Sequence, residues 1–380
     1  MSKKLVVKGP LQASNQIFLE QQVPIYPIYI ENNYDKLSKS LEALHIEKCK
    51  ALVITDINVG KLYIEEVTTI LKKQVATVET LYIEAGESYK NLDSIRFIYE
   101  TLIQKSFDRN DILFALGGGV IGDMTGYAAA TFLRGIRFVQ LPTSLLAMVD
   151  SSIGGKTGVD FKSYKNMVGA FYQPQAVYIN LSVLATLPER EYLSGFGEII
   201  KHGIIKDRDY YDFLNENMGK IIKRNKKLLE EVIYRSCMIK QAIVEIDPTE
   251  KADRALLNFG HTIGHAVEKF MDFSMLHGEC VSLGIVASSY ISYLRQYISQ
   301  EDFLSILNTL ENYRLPKVLT LDNKSMIQSE LLSIIQHDKK MNSGQIKFIL
   351  LKSIGNAYID ESITKEEISK AVSFIMGVQY

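Results

Sequence analysis

The chain has 380 residues, 47% apolar, 10% aromatic and 23% charged, which is ample apolar material for a sizeable core. Its 43 lysines and arginines against 44 acidic residues leave a formal charge of −1, without the basic excess of a nucleic-acid binder. No apolar run approaches the ~20 residues that span a bilayer, and MSKKLVVKGP offers only Leu5, Val6 and Val7 before Lys8, too few for a secretion signal. Three scattered cysteines, Cys49, Cys237 and Cys280, make no disulfide framework. The expectation is a soluble, cytoplasmic protein of two domains, at roughly 150 residues each.

Short apolar runs alternate with amphipathic stretches through the N-terminal half. Strands are expected at ALVITD (51–56), TLYIEAGE (80–87), DILFALGGG (111–119), RFVQLPT (137–143) and AVYINLSVL (176–184). NVGKLYIEEVTTILKKQ and NLDSIRFIYETLIQK, between them, carry apolar residues three and four apart and are expected as helices. That alternation predicts an α/β domain with a mostly parallel sheet, over 1–187. Beyond Pro188 long amphipathic runs dominate, at 190–245, 260–298, 301–313, 325–336 and 364–376, with only IKFILL (346–351) and NAYI (356–359) extended. The second domain, 188–380, is expected to be mainly helical.

Directly after DILFAL, residues 117–123 read GGGVIGD, so Gly117, Gly119 and Gly122 fit G-x-G-x-x-G. A turn without side chains lets backbone N–H groups approach a phosphate at a helix N-terminus. The motif sits on a later strand than is usual for a dinucleotide site, and a packing turn explains it equally well on its own. The ribose acid is expected upstream, at Asp56.

The segment 240–278 is the most informative. After the break at Asp247-Pro248, a single helix over most of 250–268 places Arg254, Asn258, His261 and His265 on one face, with Glu250 a turn before. A stripe at that spacing is normally apolar, and a buried polar one costs free energy unless paired or liganded. An exposed face would instead carry lysine and glutamate. With His277, three of the chain's six histidines fall within seventeen residues. A catalytic zinc takes about three protein ligands and keeps one position open. Glu198, near Lys201 and His202 on one helical face, is a candidate carboxylate. Spacing alone leaves open which histidines bind, whether His202 takes part, and whether the cluster is metal-free.

Residues 150–166, DSSIGGKTGVDFKSYKN, bracket Lys156 with glycines and place Lys165 and Asn166 soon after. Ammonium and backbone N–H groups converging there suit a phosphate, whereas a solvated lysine would not need such close backbone packing. Arg134 in FLRG adds a cation, as do Lys339 and Lys340, for which a solvated surface is equally plausible.

Together these residues resemble the 3-dehydroquinate synthases. The resemblance rests on an ordered series: GESYK (86–90), GGGVIGD (117–123), FLRG (132–135), PTSLLAMVDSSIGGKTGV (142–159), KN (165–166), GEIIK (197–201), LLNFGHTIGHA (256–266), LHGE (276–279) and DKK (338–340). It runs from about 50 to 350. It implies a Rossmann-like NAD-binding domain, a helical metal- and substrate-binding domain, and an active site in the cleft.

By the same resemblance, Glu198, His261 and His277 hold one divalent metal, Zn²⁺ or Co²⁺, and His265 becomes a base or hydrogen-bonding group. NAD⁺ falls to Asp56, Asn58, Glu87, Lys90, Gly118, Gly119, Val120, Gly122, Asp123, Thr143, Ser144, Asp150, Lys156 and Lys165. Substrate falls to Asp150, Lys156, Asn166, Lys201, Lys240, Glu250, Arg254, Asn258 and one of Lys339 and Lys340. Arg134 would reach a neighbouring subunit's site, implying a homodimer. The implied activity is that of a carbon–oxygen lyase acting on a sugar-acid phosphate, 3-deoxy-D-arabino-heptulosonate 7-phosphate, through oxidation, β-elimination, reduction and aldol closure. It belongs to the shikimate pathway of aromatic amino acid biosynthesis. Neither nucleic acid nor membrane is an expected partner.

Asp160, Ser144 and Met148 depart from the family's usual Asn, Thr and Gln. They adjoin Asp150 and Lys156 without removing a residue of chemical role. A sister cyclase, of the 2-deoxy-scyllo-inosose or valiolone type, acts on substrates without a carboxylate and would not need Lys240, Arg254 and Asn258 together. A metal- and NAD-dependent polyol dehydrogenase would not need the Lys156, Lys165 and Asn166 pocket. A silent NAD-binding protein would be expected to lack one of Glu198, His261 or His277.

Overall fold

A computed structural model describes residues 3–8, 24–162, 164–247, 253–272, 274–321, 324–341 and 347–377. The chain forms two compact units, one from the described residues of 1–187 and 229–249, the other from those of 188–228 and 250–380. The described residues of 229–249, expected in the second domain, therefore group with the first unit.

The first unit is built on a seven-stranded sheet. In chain order it contains β1 (Lys3–Lys8), β2 (Pro24–Glu31), α1 (Leu37–Leu41), β3 (Lys50–Asp56), α2 (Ile57–Leu71), β4 (Thr77–Ile83), α3 (Leu92–Gln104), β5 (Ile112–Gly117), α4 (Gly119–Thr131) and β6 (Arg137–Pro142). There follow β7 (Lys156–Phe161), β8 (Tyr164–Phe171) and β9 (Ala176–Asn180). The strand order is β1-β2-β9-β6-β5-β3-β4, parallel throughout except for the antiparallel β1 at one edge. β5 is buried at every position and β3 at all but its ends, as strands covered on both faces must be. Asp56 and Asn91 cap α2 and α3, each accepting two backbone N–H groups, and Ile95, Ile98 and Leu102 give α3 its buried stripe.

Several expectations shift. The strand expected at 80–87 lies at Thr77–Ile83, because Glu84 onward turns toward Gly86, whose φ is +122°. The run 176–184 is strand only to Asn180, whose side chain caps a 3₁₀ turn over Leu181–Ala185. The glycine-bracketed stretch at 156–171 is a separate two-stranded hairpin, β7 with β8. There Gly158 and Gly169 bring the backbones so close that a Cβ on Gly169 would lie 2.2 Å from the Thr157 carbonyl oxygen. All three cysteines are buried free thiols. Among the described residues no helix is long and apolar enough to cross a membrane.

The second unit contains α5 (Glu189–Ser194), α6 (Phe196–Lys206) and α7 (Arg208–Ile222), and α8 (Lys226–Ile246) begins in it. It continues with α9 (His261–Phe270), α10 (His277–Leu294), α11 (Gln300–Asn312), α12 (Lys324–Met341), the hairpin β10 (Phe348–Ser353) with β11 (Asn356–Asp360), and α13 (Lys365–Ile375). The single helix expected over most of 250–268 is not formed. Asp253–Asn258 is a 3₁₀ turn, Gly260 is left-handed at φ +80°, and α9 begins at His261. The break has a steric cause, since α10 passes so near that the Gly260 oxygen lies 1.7 Å from where a Cβ on Gly284 would be.

Such glycine contacts bring the three site-bearing helices together. A Cβ on Gly197 of α6 would lie 2.5 Å from the Gly278 oxygen at the start of α10, and one on Gly264 of α9 would lie 2.9 Å from the Cys280 oxygen. Gly284→Ala is expected to push α10 off the Gly260 turn, at about 3 kcal/mol, the upper range for overpacking. Thermal unfolding checks this; an unchanged melting temperature would show that the helices separate freely.

Arg295, which caps the C-terminus of α10, donates to Asp360 at 2.8 Å and to both oxygens of Glu367, at 2.5 and 2.9 Å, tying β11 and α13 to the unit. Hydrogen bonds from Arg295 hold the Glu367 carboxyl down at about 2, from an ordinary value of 4.5. A depressed carboxyl contributes stability above its unfolded value and loses it as pH falls toward the folded one. Glu367→Gln is therefore expected to melt below the parent at pH 6, the gap closing between about pH 4.5 and 2. A gap independent of pH would contradict the assignment.

Candidate active site

In the first unit, β5 ends at Gly117, Gly118 caps α4, and the helix opens on Gly119 and Val120. A Cβ on Gly119 would lie 3.0 Å from the Ser151 hydroxyl oxygen, and one on Gly122 would lie 2.7 Å from the Gln140 amide oxygen. Both are pressed from the side, leaving the turn's N–H groups at a helix N-terminus suited to an anion. Thr143 donates its backbone N–H to the Gly117 oxygen at 2.9 Å, and Ser144 Oγ accepts the Ala147 N–H at 3.2 Å, so both sit beside the turn.

Lys90 is the centre of this group. Its ammonium, 5% exposed, donates at 2.6 Å to Asp123 of α4 and at 2.6 Å to Asn166 Oδ1 of β8. Burial would lower its pKa, but Asp123 and Glu87 outweigh burial and raise it to about 12. Asn166 is left-handed at φ +54°, its N–H donating to Asp160 Oδ1 at 2.8 Å, while Asp160 donates its own N–H to the Lys90 oxygen at 2.8 Å. Lys165 pairs with Glu87 at 3.0 Å. Residues from three separate motifs, GESYK, GGGVIGD and KN, thus meet at one lysine.

Asp150 lies in a π-turn, Ala147–Ser151, a helical form found at functional sites. Its carboxylate pairs with Lys240 of α8, which also donates to the Asp150 carbonyl at 2.6 Å. Asp56 Oδ1 accepts the N–H groups of Asn58 and Val59, at 2.8 and 3.0 Å, so that oxygen serves as a helix cap. Lys156 and Arg134 are exposed, and Leu133 and Arg134 are both left-handed, at φ 49° and 69°.

In the second unit, Glu198 of α6 is wholly buried, with Lys201, one turn on, paired to its Oε2. His261, first residue of α9, and His277, first residue of α10, each place Nε2 3.5 Å from Glu198 Oε1. Their ring centroids are 5.4 Å apart. One ligand atom from each of the three residues lies within 4.8 Å of the others. Separations of 3.5 Å lie at the outer limit for hydrogen bonds. They match the ~3.3–3.6 Å edges of a tetrahedron with metal–ligand bonds of about 2.0–2.2 Å. The donor set, two imidazoles and a carboxylate, suits zinc or cobalt.

The electrostatics agree. Burial raises the Glu198 carboxyl, but Lys201 and the two histidines outweigh it and hold it well below the ordinary carboxylate range. Burial, helped by Lys201, pushes His261 well below its usual value, so its imidazole is neutral. Burial opposes a charge on His277, yet Glu198 and Glu268 raise it to about 9, so a metal would displace a proton there.

His265, exposed on α9, has its ring centroid 5.0 Å from that of His261 and 6.0 Å from that of His277. Arg254 is 1% exposed on the 3₁₀ turn that also carries Asn258. Lys339 and Lys340 fall on the last turn of α12, and their side chains lie outside the described residues. Glu250 also lies outside them.

One residue at this site escaped the sequence reading. Glu268 is 2% exposed, with Oε1 3.5 Å from His277 Nδ1. Its signal was present, because residues 261, 265 and 268 follow at i, i+4 and i+7 on one helical face.

Residues 80–194 match the family model for the 3-dehydroquinate synthase N-terminal region, and 195–341 match that for its C-terminal region. A 3-dehydroquinate synthase of Acetivibrio thermocellus is 43% identical over 352 residues, covering 93% of this chain and 96% of that protein. One from Geotalea uraniireducens is 43% identical over 332 residues, covering 87% and 91%. Among solved structures, a 2-epi-5-epi-valiolone synthase from Streptomyces hygroscopicus with NAD⁺ and Zn²⁺ bound superposes with a TM-score of 0.84 at 24% identity, covering 96% of this chain and all of that one. A 2-deoxy-scyllo-inosose synthase complexed with carbaglucose-6-phosphate, NAD⁺ and Co²⁺ gives 0.82 at 24%, covering 91% and 96%. At that identity the two structures establish the fold, while the sequence relatives and both family models establish that this chain belongs to the 3-dehydroquinate synthase family.

Proposed function

We propose that this chain converts 3-deoxy-D-arabino-heptulosonate 7-phosphate to 3-dehydroquinate and phosphate, using NAD⁺ and one divalent metal. The observation that carries the proposal is the convergence of His261 and His277 on the buried Glu198 carboxylate at metal-ligand spacing. A bound metal would supply Lewis-acid polarisation of neighbouring substrate oxygens, and a bound NAD⁺ would accept a hydride and return it.

The chain's own residues account for the remainder. Arg254 keeps its charge at any working pH and supplies a buried guanidinium for the substrate carboxylate. Lys201 balances Glu198 within the second unit, and Asn258 offers an amide from the same turn as Arg254. His265, exposed beside the ligand histidines, is suited to hold or pass a proton at an imidazole nitrogen. In the first unit Lys156, Lys165 and Asn166 receive the phosphate, Asn166 held in place by Lys90. Lys240 and Asp150 hold each other, which fixes a cation and an anion for substrate hydroxyls. The cofactor belongs to Asp56, Asn58, Glu87, Lys90, Asp123 and the Gly118–Gly122 turn, with Thr143 and Ser144 beside it. With the cofactor recovered unchanged, the balance would be substrate to carbocycle plus inorganic phosphate.

The working form is a homodimer in the cytoplasm, where three buried free thiols are at home. Arg134, on its exposed left-handed turn, is assigned to the neighbouring subunit's site. The test is phosphate release from three substrates: the seven-carbon sugar acid phosphate, sedoheptulose 7-phosphate and glucose 6-phosphate. Release from the first alone is expected, with 3-dehydroquinate as product. Release only from either of the others would place the chain with the sister cyclases.

A further inference from the structure

The two ligand histidines are held alike at their far nitrogens but by different groups. His261 Nδ1 lies 3.2 Å from the Phe259 carbonyl oxygen while its Nε2 faces Glu198. His277 Nδ1 lies 3.5 Å from Glu268 Oε1 while its Nε2 faces the same Glu198 oxygen. An acceptor at Nδ1 keeps a hydrogen there and leaves the Nε2 lone pair for a metal. For His261 the acceptor is backbone and fixed by the turn before α9. For His277 it is a side chain, a carboxylate 2% exposed, whose burial is costly unless it meets a donor. Helix α9 so carries both a ligand, His261, and seven residues later the carboxylate that faces the ligand of α10.

We propose that Glu268 is the positioning residue of the metal centre: it accepts the Nδ1 hydrogen of His277, fixes that ring's tautomer and angle, and adds the negative charge that strengthens Nε2 as a ligand. The proposal rests on Glu198, His261 and His277 being the metal ligands. It assigns Glu268 no contact with substrate.

The test uses full-length protein stripped of metal, titrated with Zn²⁺ against a chromophoric chelator, and then loaded with Co²⁺. Wild type is expected to bind one Zn²⁺ per chain and His277→Ala to lose it; if wild type binds none, the ligand assignment itself fails. Glu268→Ala is expected to bind Zn²⁺ about 10–100-fold more weakly, the usual loss when such a partner is removed. Glu268→Gln keeps an acceptor but no charge and should fall between the two, with the metal-free melting temperature unchanged. At saturating Co²⁺ its visible absorption should shift from that of wild type. Should Glu268→Ala not fold, Glu268→Gln decides. Affinity within twofold of a metal-binding wild type, or an unaltered Co²⁺ spectrum, would overturn the proposal.

Discussion

Glu198→Gln is expected to empty the metal site and to lower turnover by about 10³-fold or more, since Lewis-acid stabilisation is worth several kcal/mol. Glutamine matches glutamate in shape, so the effect isolates charge. The carboxylate is wholly buried, with Lys201 paired to its Oε2 and both histidines facing its Oε1. An amide there leaves the Lys201 ammonium, 1% exposed, without its partner charge and offers a cation only a neutral oxygen. Metal content by atomic absorption should drop with the rate, and added Zn²⁺ should not restore it. Full metal content with normal turnover would remove Glu198 from the centre.

Lys90→Met should be the most damaging change in the first unit. Lys90 neutralises Asp123 and holds Asn166, so the variant leaves a largely buried carboxylate unpaired. Breaking such a pair costs about 3–5 kcal/mol, and the lower end applies because Asp123 keeps some contact with water. On a unit of this size, about 3 kcal/mol corresponds to a melting temperature lower by roughly 6–12 °C. Loss of a charged hydrogen bond should also weaken NAD⁺ by about 10–100-fold, as read by fluorescence titration well below the melting temperature. If stability falls while NAD⁺ affinity holds, Lys90 is a structural pin and no part of the cofactor site.

Central features were legible because they follow from local chemistry. Continuous apolar runs marked β3 and β5 as doubly covered strands, and the glycines after β5 marked the turn. The histidine cluster stood out because polar residues occupied helical spacing. The error there, one helix across 250–268, arose because periodicity registers a repeat without registering a break. Gly260 turns left-handed under the approach of Gly284, twenty-four residues on, which no local pattern contains. The β7–β8 hairpin was hidden for a related reason, since its glycines serve strand-to-strand contact where a phosphate loop was the nearer reading. Glu268 was overlooked because a glutamate late in a helix reads as a solvated residue, and only the fold shows it buried against His277. The meeting of Glu87, Lys90, Asp123 and Asn166 likewise needs the sheet order to bring their segments together.

A metal-dependent cyclase that recycles its cofactor turns over many substrates on a single NAD⁺, which one experiment can read. The enzyme is supplied with one equivalent of NAD⁺ per chain and a hundredfold excess of 3-deoxy-D-arabino-heptulosonate 7-phosphate, with phosphate release and absorbance at 340 nm recorded together. Many phosphates released per NAD⁺, a flat absorbance trace, and arrest by a chelator that Zn²⁺ or Co²⁺ reverses are expected. Absorbance that climbs to one NADH per chain and stops, or release indifferent to the chelator, would contradict that reading.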